Sequence, residues 1–171
     1  SLKINEEIGN KKETAGSLNN IGNIYLSQGS YEQAMESLEK SLKINEETGN
    51  KSAIAYSLGN IGSIYLEQGN YEQALDYFSK SLKIHEETGN KKGIAVSLGN
   101  IGTCYYYQGN YDQALDYYLK SIKISEGLGN IKILPISIAG TLNNIGFIYK
   151  DQGNYEQALD YFSKSLKICE E

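Results

Sequence analysis

The stretch "LGNIGSIYLEQGNYEQALDYFSKSLKI", Leu58 to Ile84, returns nearly intact as "LNNIGFIYKDQGNYEQALDYFSKSLKI", Leu142 to Ile168. A catalytic site needs each of its groups once, whereas a repeated phrase specifies a repeated physical unit. The tyrosine of its Q-G-x-Y core falls at Tyr31, Tyr71, Tyr111 and Tyr155, with spacings of 40, 40 and 44 residues. A period in this range marks a solenoid, in which each unit buries its apolar face against its neighbours. Two amphipathic helices fit in one period. Ile54, Leu58, Ile61, Gly62 and Tyr65 share one face of a first helix. "EQGN" then stops it, with Gly69 as a left-handed C-cap and Asn70 as a cap for the next helix. Tyr71, Ala74, Leu75, Phe78, Ser81 and Leu82 form the stripe of the second helix, and "ETGNK", Glu87 to Lys91 at its core, repeats the stop-and-start device.

Gly62, Tyr65, Gly69, Tyr71, Ala74 and Phe78 form a small-and-aromatic signature. It recurs at Gly22, Tyr25, Gly29, Tyr31 and Ala34, again from Gly102 to Tyr118, and again from Gly146 to Phe162. In identity and spacing it resembles the signature of tetratricopeptide repeats, over nearly the whole chain from about Lys11. Small residues let two helix backbones approach while an aromatic fills the adjoining gap. The resemblance implies an all-α, right-handed superhelical solenoid of antiparallel helix pairs. The expected organisation is one continuous solenoid: residues 1–10 as the tail of a preceding repeat, then repeats at 11–50, 51–90, 91–130 and 131–171. The family's unit is about 34 residues and ends in Pro, which these units lack. The longer form resembles the spindle-orientation adaptors named for a Leu-Gly-Asn motif, and kinesin light chains; "SLGNIG" occurs at Ser57 and Ser97. "NIKILPISIAG" carries four extra residues within Ile131 to Ile138, close to one helical turn, and Pro135 is expected in the first turn of a lengthened helix.

Opposite the buried stripe of the first helix, about 180° to 240° round at 100° per residue, lie Tyr56, Asn60, Ser63 and Glu67. Their equivalents are Gly16, Asn20, Asn23 and Ser27, then Val96, Asn100, Thr103 and Tyr107, then Gly140, Asn144, Phe147 and Asp151. One position is constant: Asn20, Asn60, Asn100 and Asn144 each precede the marker tyrosine by eleven residues. A carboxamide offers a donor and an acceptor, so a ladder of them can pair with the C=O and N–H of an extended peptide. The family resemblance implies such an asparagine-lined groove. The competing reading is that each Asn bonds a neighbouring helix, or follows from a Lys-, Asn- and Ile-rich composition. Tyr56, Tyr107 and Phe147 share the face and are candidates to seat apolar side chains.

Chemistry for catalysis is sparse. His85 is the single His and reads as packing or surface; Cys104 and Cys169 have no CxxC partner and read as half-buried thiols in a reducing, cytoplasmic setting. No metal or cofactor motif is present, and "GNIG" has no preceding strand that would make it a phosphate loop. The net charge is −5 and all sixteen basic residues are Lys, which disfavours nucleic acid as a partner. No apolar run approaches the roughly 20 residues of a membrane span.

The expected activity is a non-catalytic scaffold that binds an extended or partly helical peptide. The sixteen groove positions contain no Lys, so a neutral or basic segment suits them better than an acidic C-terminus. Two alternatives are a regulatory segment of a larger bacterial signalling protein and an architectural array. Uncapped ends predict head-to-tail self-association. On the last helix Leu159, Phe162 and Leu166 are expected to be satisfied by their own pair, with Tyr161, Ile168 and Cys169 unsatisfied.

Overall fold

The turn signalled at Gln68 to Asn70 is a Schellman motif. Gly69 has φ +75°, its N–H reaches Leu66 O at 3.0 Å, and Asn70 N–H reaches Tyr65 O at 2.8 Å. The orphan carbonyls of the helix end are thereby met, in a conformation that glycine adopts without steric cost. Asn70 contributes no side-chain cap to the helix that follows, contrary to the sequence expectation. Capping by Asn occurs at the other class of turn, where Asn50 Oδ1 accepts from Ala53 N–H and Asn90 Oδ1 from Gly93 N–H.

The computed structural model describes the backbone of residues 2–128 and 134–170, and their side chains except 2–6, 8 and 134–137. Among these the chain forms eight helices and no strand: α1 (Leu2–Ser27), α2 (Tyr31–Glu47), α3 (Lys51–Glu67), α4 (Tyr71–Glu87), α5 (Lys91–Tyr107), α6 (Tyr111–Glu126), α7 (Leu134–Asp151) and α8 (Tyr155–Glu170). It divides into two compact units, Ser1–Thr88 and Gly89–Glu171, each holding two helix pairs. Pairing is antiparallel: along α1 and α2, Lys11 meets Glu47, Ala15 meets Ser41 and Gly22 faces Leu38. No described helix is long and apolar enough to cross a membrane.

One helix boundary differs from the sequence reading. α1 runs through Gly9 and Asn10 without a turn, and Gly9 has no positive φ. α7 is 18 residues long against 17 for α3 and α5. Pro135 falls in its first described turn, and the rest of the four-residue insertion, at 129–133, lies outside the described residues.

Within each pair, a glycine of the first helix lies against a large side chain of the second. A Cβ on Gly62 would sit 2.9 Å from the Phe78 ring, and one on Gly102 2.9 Å from the Tyr118 ring. A serine adds a directional bond at the same interface. Ser41, Ser81, Ser121 and Ser165 each donate a buried 2.8 Å hydrogen bond to the carbonyl of Ala15, Ala55, Ala95 and Ala139. Sequence reading placed Ser81 on the stripe but did not foresee this bond.

Between pairs of one unit, the core joins the second helix to the first helix of the next pair. In the first unit Ala34 and Leu38 pack with Ile61 and Ile64; in the second, Ala114 and Tyr118 pack with Ile145 and Ile148. α3 thus buries Ala55, Ser57 and Ile64 as well as the expected Leu58, Ile61 and Gly62. His85 is also core, 3% exposed, with its Nδ1 buried and lacking a hydrogen-bond partner. Burial holds its pKa below the ordinary histidine value. Cys104 is buried, which pushes its thiol to about 12, whereas Cys169 is exposed rather than half-buried.

These contacts generate two predictions. Gly62→Ala adds a methyl against a fully buried ring and should lower stability by up to about 2 kcal/mol, the overpacking cost less the helix-propensity gain. Gly16→Ala, where an added Cβ meets nothing within 4 Å, should leave stability unchanged or raise it by up to about 1 kcal/mol. Urea unfolding of both variants checks the contrast. His85 gives the second. Its folded pKa is depressed, so below about pH 6.5 the unfolded chain binds a proton that the folded chain refuses. Stability from this group is present above that pH and is lost as pH falls through it. The melting temperature should therefore drop between pH 7.5 and 5.5 by more in the native chain than in His85→Asn, which carries the residue found at the equivalent Asn45.

Candidate functional site

The sector of each first helix left over by these two packing faces holds the candidate residues. In the first unit Asn20 and Glu67 are exposed and Asn23, Asn60 and Ser63 half-buried. Asn60 Nδ2 donates to Asn19 Oδ1 at 3.2 Å, bridging α3 to α1. This realises the competing reading for one half of its carboxamide; Asn60 Oδ1 makes no hydrogen bond among the described residues. Asn19 was not foreseen, since only the constant position one residue later stood out. Ser63 turns its hydroxyl back to Gly59 O at 3.1 Å. Tyr56 stands exposed, its ring edge-on to His85 with centroids 5.3 Å apart.

In the second unit Asn100, Thr103 and Asn144 come together around a cleft of about 180 Å³ between α5 and α7, with Tyr118 also among its lining residues. Tyr118 stands where the other repeats carry Leu38, Phe78 and Phe162. It is 1% exposed, and its hydroxyl lies 3.0 Å from Thr103 Oγ1 and bonds the Asn144 side chain. Burial pushes its pKa to about 12. Thr103 Oγ1 also donates to Gly99 O at 3.0 Å. A carbonyl only accepts, so the proton order is forced. Thr103 donates to Gly99, Tyr118 donates to Thr103, and the Asn144 amide donates to the Tyr118 oxygen. Asn100 has no side-chain hydrogen bond among the described residues.

The remaining candidates of this unit are aromatic or acidic. Tyr107 and Phe147 are exposed, leaning edge-on against Tyr106 and Phe162 at 5.3 Å. Asp151 accepts a 2.7 Å bond from the Tyr106 hydroxyl. Burial first, and that bond second, pushes Tyr106 to about 12. Lys150 reaches over the Phe147 ring at 5.7 Å, a cation that the choice of groove positions overlooked. No group of three His, Cys, Asp or Glu side chains is placed to hold a metal among the described residues.

Comparison with known proteins agrees with this architecture. The crystal structure of BtubC (BKLC) from P. vanneervenii superposes with a TM-score of 0.77 at 23% identity, over 90% of this chain and 62% of that one. The apo form of RapI gives 0.79 at 26% identity, over 92% and 56%. Aspartyl phosphate phosphatase F from Bacillus subtilis gives 0.84 at 20% identity, over 94% and 41%. The chain therefore spans less than two thirds of each of these relatives. No curated protein gives a significant match. The tetratricopeptide repeat pattern itself matches residues 15–47, 51–127 and 139–171, covering most of the chain, which belongs to the tetratricopeptide repeat family.

Proposed function

We infer that this protein is a non-catalytic interaction scaffold whose asparagine rungs, Asn20 and Asn60 in one unit and Asn100 and Asn144 in the other, grip the backbone of an extended or partly helical peptide. Tetratricopeptide repeats support protein–protein interaction. The observation that carries the finer reading is the state of Asn100 and Asn144. They line one cleft, Asn100 spends no side-chain hydrogen bond among the described residues, and Asn144 interacts with the Tyr118 hydroxyl. A donor and an acceptor held in place at a cleft wall suit a peptide amide. A neutral or basic segment fits, because Glu67 and Asp151 are the charged groups among the groove positions.

A second reading concerns the two ends. Ile61 and Ile64 are buried to 1% and 0%, whereas the equivalent Ile21 and Ile24 on α1 are 43% and 58% exposed. On α8, Leu159 and Leu166 are 66% and 60% exposed, although their equivalents Met35 and Leu42 pack onto the α2–α3 core. This corrects the expected pattern. Tyr161 is half-buried, stacked on Tyr149 at 5.4 Å, because contact within a pair uses that side of the helix. The unmet side is the one that faces a following pair. The α8 face of one copy is thus a counterpart of α2, and the α1 face of another a counterpart of α3.

Two measurements test these readings. Twelve-residue peptides selected from a random displayed library on the native chain should lose about 5- to 150-fold in affinity for Asn60→Ala/Asn100→Ala, from two hydrogen bonds of about 0.5–1.5 kcal/mol each. The helical circular-dichroism signal should be retained, with a small drop in melting temperature from the lost Asn60–Asn19 bond; equal affinity for both proteins sinks the ladder. For the ends, sedimentation velocity should show concentration-dependent association that Leu159→Lys/Leu166→Lys abolishes. A strict monomer at high concentration rules the contact out.

A further inference from the structure

The geometry points to a side-chain pocket in the second unit: the cleft between α5 and α7 seats one uncharged aliphatic side chain of a peptide whose flanking backbone amides meet Asn100 and Asn144. This rests on the scaffold reading above and gives it a specificity element.

Comparison of the two units shows how the pocket is opened. The position of Gly140 on α7 is held in the first unit by Tyr56 on α3, and the position of Gly99 on α5 by Asn19 on α1. In the first unit Asn19 takes up the Asn60 amide, and Tyr56 carries a large ring, edge-on to His85, at the position of Gly140. In the second unit both side chains are reduced to hydrogen. A Cβ on Gly140 would meet nothing within 4 Å, so the glycine is not demanded by helix packing there. Glycine within a helix costs about 1 kcal/mol relative to alanine, a cost borne here without a structural return. With no carboxamide at position 99, Asn144 is instead anchored below by the Tyr118 hydroxyl.

The lining settles the occupant's chemistry. Val96, Ala95 and the two glycines give apolar walls, Thr141 and Ser121 also line the cleft, the latter with its proton given to Ala95 O, and no charged residue lines it. A Lys, Asp or Glu side chain entering it would lose hydration without a partner. The floor is also saturated in donors. The Tyr118 proton is committed to Thr103 and the Thr103 proton to Gly99, so neither is offered to a polar guest. The cleft volume, about 180 Å³, exceeds the roughly 150 Å³ that accommodates a benzene-sized guest. A leucine, isoleucine or methionine side chain fits this space. Asn100 and Asn144 at its rim are left to meet the polar backbone on each side.

The test uses the full chain and a random 12-residue displayed peptide library. Peptides selected on the native protein should share one aliphatic position, and replacing that residue by Gly should weaken binding about 10-fold or more. Gly140→Leu should fill the pocket and lose binding of the same peptides about 10-fold or more, while melting at the native temperature or above. Gly140→Ala should fall between. Loss of binding in Asn100→Ala/Asn144→Ala, with Gly140→Leu binding as the native protein does, overturns the pocket and leaves the ladder standing. A shared charged position in place of the aliphatic one also overturns the pocket. Failure of any peptide to be enriched on the native protein overturns both the pocket and the ladder.

Discussion

Close approach of the two helices in each pair is the constraint on which the rest depends. A bare glycine backbone against a ring or leucine sets the distance, and the serine hydroxyl bonded to an alanine carbonyl sets the register. Neither would suffice alone. The van der Waals contact tolerates sliding along the helix, whereas a 2.8 Å hydrogen bond to one carbonyl does not. The carbonyl already accepts a helix bond, so the serine uses its second lone pair and no buried polar group is left unmet. With spacing and register set, the second helix can offer its other side, Leu38 or Tyr118 and their neighbours, to the next pair of the same unit.

That double duty explains why the exposed sector of the first helices is narrow and polar. α3 meets α4 on one side and α2 on another, which leaves Tyr56 and Glu67 exposed and Asn60 and Ser63 half-buried on the remaining arc. Side chains there are free to vary without disturbing the core, and they do. Asparagine persists at one position through all four repeats while its neighbours range from glycine to tyrosine. The aromatic members of the arc lean on rings of their own unit, His85, Tyr106 and Phe162. Such edge-on contacts hold a partly exposed ring in place and reduce the ordering cost of any later contact.

Much of this was legible in the amino-acid sequence because the fold repeats its instructions. The Q-G-x-Y spacing located every described turn between paired helices, and glycine with an aromatic sixteen residues later located the interface of a pair, as Gly62 and Phe78 show. What escaped reading depends on position in space rather than on pattern. Asn70 and Asn50 follow the same glycine, yet only Asn50 caps its helix. The Asn19–Asn60 bond joins residues 41 apart in sequence, and periodicity within one helix carries no sign of it. Tyr118 was visible as a departure from Phe78 and Phe162, but its role needs the Thr103 and Asn144 side chains placed around the hydroxyl. The end helix misled for a related reason. Helical phase identifies apolar residues, but which of them a partner covers depends on whether a following pair is there.

The contrast between the two units shows how a repeat protein can separate grip from discrimination. A carboxamide that pairs with a peptide backbone gives affinity largely independent of side chains, as main-chain recognition does elsewhere. Discrimination then requires a feature that differs from repeat to repeat, because identical rungs cannot tell one register of a peptide from another. Within these units the differences lie beside the asparagines: Tyr56 against Gly140, Asn19 against Gly99, Leu38 against Tyr118. Each pair occupies equivalent positions in the repeat register. Constant asparagines in a variable surround are the distribution expected of a surface that holds the main chain everywhere and reads a side chain at one place.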